Sequence, residues 1–204
     1  MKVAIFIPCY VDQVVPSVGQ ATVRLLRRLG MEVVYPSGQT CCGQPAFNTG
    51  FWKDAADVAK RQIQIFLDSD AEAVVCPSGS CSAMQSVFYP TLFHGQKEEA
   101  NAKELSRRTF ELTQFLVHRL GLRDVGATFV GKGVLHRSCH SLRELNLRTE
   151  ARELLSQVRG LELLDMENVI SGDSSCLMHL GGMMSKRGMK VKPIHLAEVL
   201  ASTS

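Results

Sequence analysis

Twice in this 204-residue chain an apolar, strand-like run ends at a cysteine: Val3–Pro8 leads to Cys9, and Gly133–Arg137 leads to Cys139. The continuation is similar in both places. Ser17–Leu29 has helical periodicity through Val23, Leu26 and Leu29, Gly30 stops it, and Met31–Tyr35 reads as a second strand. A helix over Trp52–Leu67 and a third strand over Ala73–Cys76 lead to the turn Ser78-Gly79-Ser80-Cys81, with a helix opening near Cys81. In the second half Thr149–Val158 reads as a helix, Leu161–Leu164 and Asn168–Ile170 as strands, and the turn is Asp173-Ser174-Ser175-Cys176. The pattern predicts an α/β protein of two pseudo-repeated half-domains, each a small, mostly parallel sheet flanked by helices. Residues 1–100 form the first half, 101–132 a connector with a helix over 102–120, and 133–204 the second half. The cysteines then stand beyond strand ends, where open parallel sheets bind ligands.

The halves are unequal. Between Cys9 and Cys81 lie 71 residues, but between Cys139 and Cys176 only 36. The second half therefore lacks about 35 residues where the first carries Cys41, Cys42 and a helix, although a parallel crossover needs about a dozen. The junction Leu164–Asn168 has neither that length nor Gly or Pro turn chemistry, so a break between Met166 and Asn168 is expected.

Seven cysteines, an odd number without a secretion signal, argue against a disulfide framework. Cys41 and Cys42 are adjacent and precede Gly43; neighbouring cysteines pair with each other only under strain. Two thiolates on a turn released by glycine suit a metal ion or an iron–sulfur cluster. Cys9, Cys41, Cys42 and Cys81 form the candidate metal set, with Cys139 and Cys176 as further cofactor ligands. Cys76, on an apolar strand before Pro77, reads as a core thiol. His136 and His140 flank Cys139, and His179 follows Cys176 by one helical turn, so each has a structural and a ligand reading; His94, His118 and His195 read as structural.

Composition excludes several classes. The chain is 45% hydrophobic and 21% charged with a net charge of +3, an ordinary globular balance that gives no reason to expect nucleic acid as a partner. Met1–Pro8 is too short for a signal peptide and no apolar stretch reaches a membrane span, so direct membrane insertion is not expected and the chain reads as cytoplasmic. No dinucleotide or P-loop glycine motif occurs, and no flavin or nicotinamide signature, so the chain itself offers no hydride acceptor.

Cys9, the Cys41-Cys42-Gly43-Gln44-Pro45 run and Cys81 together resemble the cysteine-rich CCG domain family, which includes a cysteine-rich component of heterodisulfide reductase and the iron–sulfur subunits of glycolate and glycerol-3-phosphate oxidising enzymes. The stretches Ile7–Gln13, Cys41–Gly50, Cys76–Cys81 and His195–Leu200 resemble the lactate-oxidising branch, and the resemblance covers nearly the whole chain. It implies a 4Fe-4S cluster and electron transfer within a complex that oxidises L-lactate to pyruvate. It also implies two partners, a ferredoxin-like iron–sulfur protein and a third small subunit. The family motif ends in Cys-x-x-Cys, whereas Ser78 and Asp173 stand at its first position here; a five-cysteine cluster site is thereby in doubt, and four thiolates remain. The alternatives are a zinc-binding structural or regulatory module, and a subunit of a glycolate or glycerol-3-phosphate oxidising complex.

Overall fold

The computed structural model describes residues 1–164, 168–189 and 191–203. Two four-stranded parallel sheets have the same strand order. In the first, β1 (Lys2–Ile5) lies between β2 (Glu32–Val34) and β3 (Ala73–Cys76), with β4 (Thr109–Glu111) beyond β3. In the second, β5 (Thr128–Leu135) lies between β6 (Arg159–Leu163) and β7 (Asn168–Ser171), with β8 (Lys192–His195) beyond β7. Helices α1 (Cys9–Val14) and α2 (Pro16–Arg28) join β1 to β2, and α3 (Gln44–Asn48) and α4 (Trp52–Leu67) join β2 to β3. From β3 the chain runs through α5 (Gly79–Ala83), α6 (Tyr89–Leu92) and α7 (Glu99–Arg108) to β4, and leaves it in α8 (Leu112–Gln114). In the second half α9 (Cys139–Arg143) and α10 (Glu150–Ser156) precede β6, α11 (Ser174–Lys186) joins β7 to β8, and α12 (Leu196–Ala201) comes after β8.

Local chemistry sets these elements. Pro16 opens α2, where a missing N–H costs nothing, and Val18, Ala21, Leu25 and Leu26 bury one stripe before Gly30 turns the chain at φ +82°. The strand expected over Val3–Pro8 stops at Ile5 because a side chain takes over the pairing. Ile7 N donates to Gln39 Oε1 at 2.9 Å and Gln39 Nε2 donates to Ile5 O at 3.0 Å, which places Cys9 at the start of α1. Helix α4 and strand β3 stand where the sequence predicts them.

The expected connector is different. Its helix is interrupted by β4, whose Thr109, Phe110 and Glu111 pair with Val74, Val75 and Cys76; residues 101–132 thus supply part of both sheets. A three-residue edge strand exists through that pairing and leaves no alternation to read. The same holds for β8, which pairs with β7 from Asn168 to Ser171.

Strands β6 and β7 run parallel on either side of β5. Such a pair needs a crossover of about a dozen residues or more. Residues 164–167 alone stand between them. The break expected between Met166 and Asn168 lies outside the described residues.

One apolar core spans both halves. It joins Val3 and Val75 of the first sheet, Leu25 and Leu26 of α2, and Ile170, Leu196 and Leu200 of the second half. Arg28 fastens α2 to the carboxyl end of α12, donating to Leu200 O at 2.8 Å and Ala201 O at 3.0 Å, carbonyls that a helix end leaves without internal partners. The opposite face of the first sheet is covered by α4 and α7 through Phe66, Ile63 and Leu105.

Candidate functional site

Four thiols meet beyond the carboxyl ends of β1 and β3. Cys9 is the first residue of α1, Cys41 and Cys42 lie on the turn before α3, and Cys81 is in the first turn of α5. The turn requires its glycine: Gly43 has φ +83°, and a β-carbon there would stand 3.1 Å from Ala55 O. Side chains and backbone hold the loop from below. Gln62 Nε2 donates to Thr40 O at 2.5 Å, the buried Tyr89 hydroxyl donates to Cys42 O at 2.8 Å, and Gln44 Nε2 donates to Ser80 O at 3.1 Å.

The sulfurs form a contact chain. Cys9 and Cys42 are hydrogen-bonded to Cys41, whose Sγ also accepts from Gly43 N at 3.4 Å. Cys42 Sγ also lies 3.4 Å from Cys81 Sγ, which extends the chain to the fourth thiol. The consequence is a split among the thiols. The Cys42 bond and, against the pull of burial, the Gly43 N–H and Cys9 bonds lower the Cys41 thiol to about 5, which favours its thiolate. Cys9 is raised to about 11 by desolvation of its thiol and then by the charge on Cys41. Cys42 is raised by its bonds to Cys41 and Cys81 and by burial.

The other predicted residues are elsewhere. Cys139 begins α9 and is exposed; Cys176 is half-buried in α11, close enough to Cys139 to feel its charge, and is raised to about 11 by burial and then by Asp173. Neither is among the sulfur contacts of the first four. Cys76 is fully buried in β3 with Sγ 3.7 Å from Ser78 O, a core thiol. His179 is exposed; His140 Nδ1 lies 3.5 Å from Glu144 Oε2 without forming a hydrogen bond. His195 caps α12, with Nδ1 accepting from Ala197 N at 3.1 Å.

Ser78 and Asp173, at the positions where the family motif has a thiolate, are helix caps. Ser78 Oγ accepts from Cys81 N at 3.5 Å, and Asp173 Oδ1 accepts from Ser175 N at 3.1 Å. Asp173 also crosses the junction, Oδ2 accepting from Ser80 N at 3.0 Å beside the thiol loop. Sequence reasoning missed Glu111, a fully buried acid at the end of β4. Its signal was present in Glu111-Leu112-Thr113-Gln114, which forms a capping box on α8.

The donor set fits a thiolate-bound group: four sulfurs gather at a turn held by backbone and amide contacts. Among the described residues no three His, Cys, Asp or Glu side chains converge for a metal ion as they stand. The sulfurs point at each other, and turning about their Cα–Cβ bonds is what aiming them at one centre requires.

Fold and site together define a cysteine-rich protein, and the family pattern of the Cysteine-rich domain (CCG) matches residues 3–85. The chain is 42% identical to Lactate utilization protein A of Bacillus subtilis (strain 168), over 99% of this chain and 100% of that protein, and 40% identical to its counterpart in Geobacillus kaustophilus (strain HTA426), over 98% of each. It belongs to the lactate utilization protein A family. These alignments run over 240 and 238 positions, more than the 204 residues present, so the relatives carry residues with no counterpart here. A putative Asp/Glu racemase of Yersinia pestis superposes over 98% of this chain and 96% of that one, but at TM-score 0.41 and 10% identity the likeness bears on neither fold nor chemistry. Among the described residues no helix is long and apolar enough to cross a membrane.

Proposed function

We propose that this chain is the cluster-carrying electron-transfer subunit of a cytoplasmic complex that oxidises L-lactate to pyruvate. The observation that carries the reading is the meeting of Cys9, Cys41, Cys42 and Cys81 at one sheet edge; the relatives' name supplies the metabolic context. These four residues would hold an iron–sulfur cluster, 4Fe-4S by the number of thiolates. Such a group supplies one-electron transfer. The chain's own residues prepare the site. Cys41 is lowered toward its thiolate, Tyr89 and Gln62 fix the carbonyls of the double-cysteine loop, and Asp173 anchors the Ser80 backbone beside Cys81. With no hydride acceptor in this chain, lactate would be oxidised on a partner, and a ferredoxin-like iron–sulfur protein and a third small subunit complete the complex in this reading.

Anaerobic purification after co-expression with the partners tests it. Visible absorption, an EPR signal and bound iron are expected, lost in Cys42→Ser and Cys81→Ser and kept in Cys76→Ser. A colourless protein holding zinc would replace the cluster by a structural metal. A deletion strain is expected to fail on L-lactate and to grow on pyruvate; normal growth on lactate, with no second copy of the gene, would move the assignment to glycolate or glycerol-3-phosphate oxidation.

A further inference from the structure

One buried acid comes from each half where the two halves meet. Glu111 is 3% exposed and Asp173 is 1% exposed, and among the described residues neither forms an ion pair. The Asp173 carboxylate is well supplied with donors: Ser175 N and Oγ on Oδ1 and Ser80 N on Oδ2. Glu111 is not. Thr113 N, Thr113 Oγ1 and Gln114 N all donate to Oε2, at 2.7, 2.5 and 3.2 Å, while Oε1 faces Gly172 so closely that a β-carbon there would be 3.3 Å away.

A cavity of about 30 Å³ opens beside Glu111, lined also by Thr113, His136, Arg137, Ser138 and Arg148. That is room for one or two waters. The remaining ionisable neighbours are few. On the first half Cys76 is a buried thiol, raised by burial; on the second, His195 is buried and held neutral, with its value lowered to about 4, and Cys176 lies beyond Asp173. Arg148 donates its Nε–H to Asn146 Oδ1.

We propose that Glu111 is a proton-operated latch between the halves. With its proton in place it sits neutral beside the Asp173 carboxylate, and the bond from Ser80 N to Asp173 closes the junction. When the proton leaves to water in the cavity, two neighbouring carboxylates repel across the junction, the bond to Ser80 loosens, and the loop carrying Cys81 is freed. Their different environments drive the two acids apart. Burial, with a contribution from the Asp173 charge, raises Glu111 to about 7. Burial also pushes on Asp173, but the Ser175 and Ser80 donors outweigh it and lower that acid.

The 204-residue chain, reduced and metal-free, is enough for the test. Amide hydrogen exchange at Ser80, corrected for the intrinsic rate, is expected to speed up by about tenfold between pH 6 and pH 8, while carbon NMR of labelled glutamate follows Glu111 losing its proton in the same range. In Glu111→Gln the Ser80 protection should persist at both pH values, and in Asp173→Asn Glu111 should ionise at lower pH. A Glu111 already ionised at pH 6, a Ser80 rate indifferent to pH, or an equal change in Glu111→Gln would each overturn the latch. Should Glu111→Gln fail to fold, the two wild-type titrations decide on their own.

Discussion

Asp173 Oδ2 lies 3.0 Å from the backbone nitrogen of Ser80, so a residue of the second half is bonded into the loop that carries the first half's Cys81. The pseudo-equivalent of Asp173 is Ser78, which caps its own helix and stays within its half. The repeat has thus been turned to a new use: the two corresponding turns are tied to each other, and the tie is a carboxylate that a thiol could not replace at equal strength. Replacing Asp173 by Ala removes both the cap on α11 and this bond. The expected cost is about 2–3 kcal/mol, read as a lower urea midpoint. It should be smaller at pH 8 than at pH 6, because the same change relieves Glu111.

Tyr89 has a buried ring, and its hydroxyl donates to the carbonyl of Cys42. Tyr89→Phe keeps the ring packing and leaves that carbonyl without its partner. A loss of about 1–2 kcal/mol in chemical denaturation is expected, with faster alkylation of Cys42 at constant pH. Unchanged alkylation would show that the loop is held by Gln62 and Gln44 alone.

At Gly79 the first half packs tightly against the second. A β-carbon there would lie 2.2 Å from Ser141 Oγ and 3.0 Å from Ser138 Oγ. Gly79→Ala is therefore expected to destabilise by about 1–3 kcal/mol, and adding Ser141→Gly should recover part of the loss in thermal melts.

Stability should depend on pH through two buried groups of opposite sign. Glu111 is raised in the folded chain from 4.5 to about 7, so its contribution is complete below pH 4.5 and is lost as pH rises through 7. His195 is lowered from 6.5 to about 4, so its contribution is present above pH 6.5 and is lost as pH falls through 4. The stability of Glu111→Gln minus that of wild type should accordingly rise between pH 5 and pH 8, by up to about 3 kcal/mol. Parallel pH profiles for the two proteins would contradict the raised value.

Much of the first half was legible in the sequence because its signals are local. Gly30 closes α2, Trp52–Leu67 carries one apolar stripe, Ala73–Cys76 is an uninterrupted buried strand, and Cys41-Cys42-Gly43 needs the left-handed turn that only its glycine adopts freely. The placement of cysteines after strands brought Cys9, Cys41, Cys42 and Cys81 to one edge, since a parallel sheet exposes all its carboxyl ends on the same side. What the tertiary structure decided depends on partners far apart in the chain. Strands β4 and β8 exist through pairing with β3 and β7, and their three or four residues carry no period of their own. Asp173 reads in one dimension as a missing thiolate, and Glu111 as a charge within a helical pattern. Only when the halves close does each become a buried acid, because burial and the neighbouring carboxylate are properties of the junction rather than of either segment.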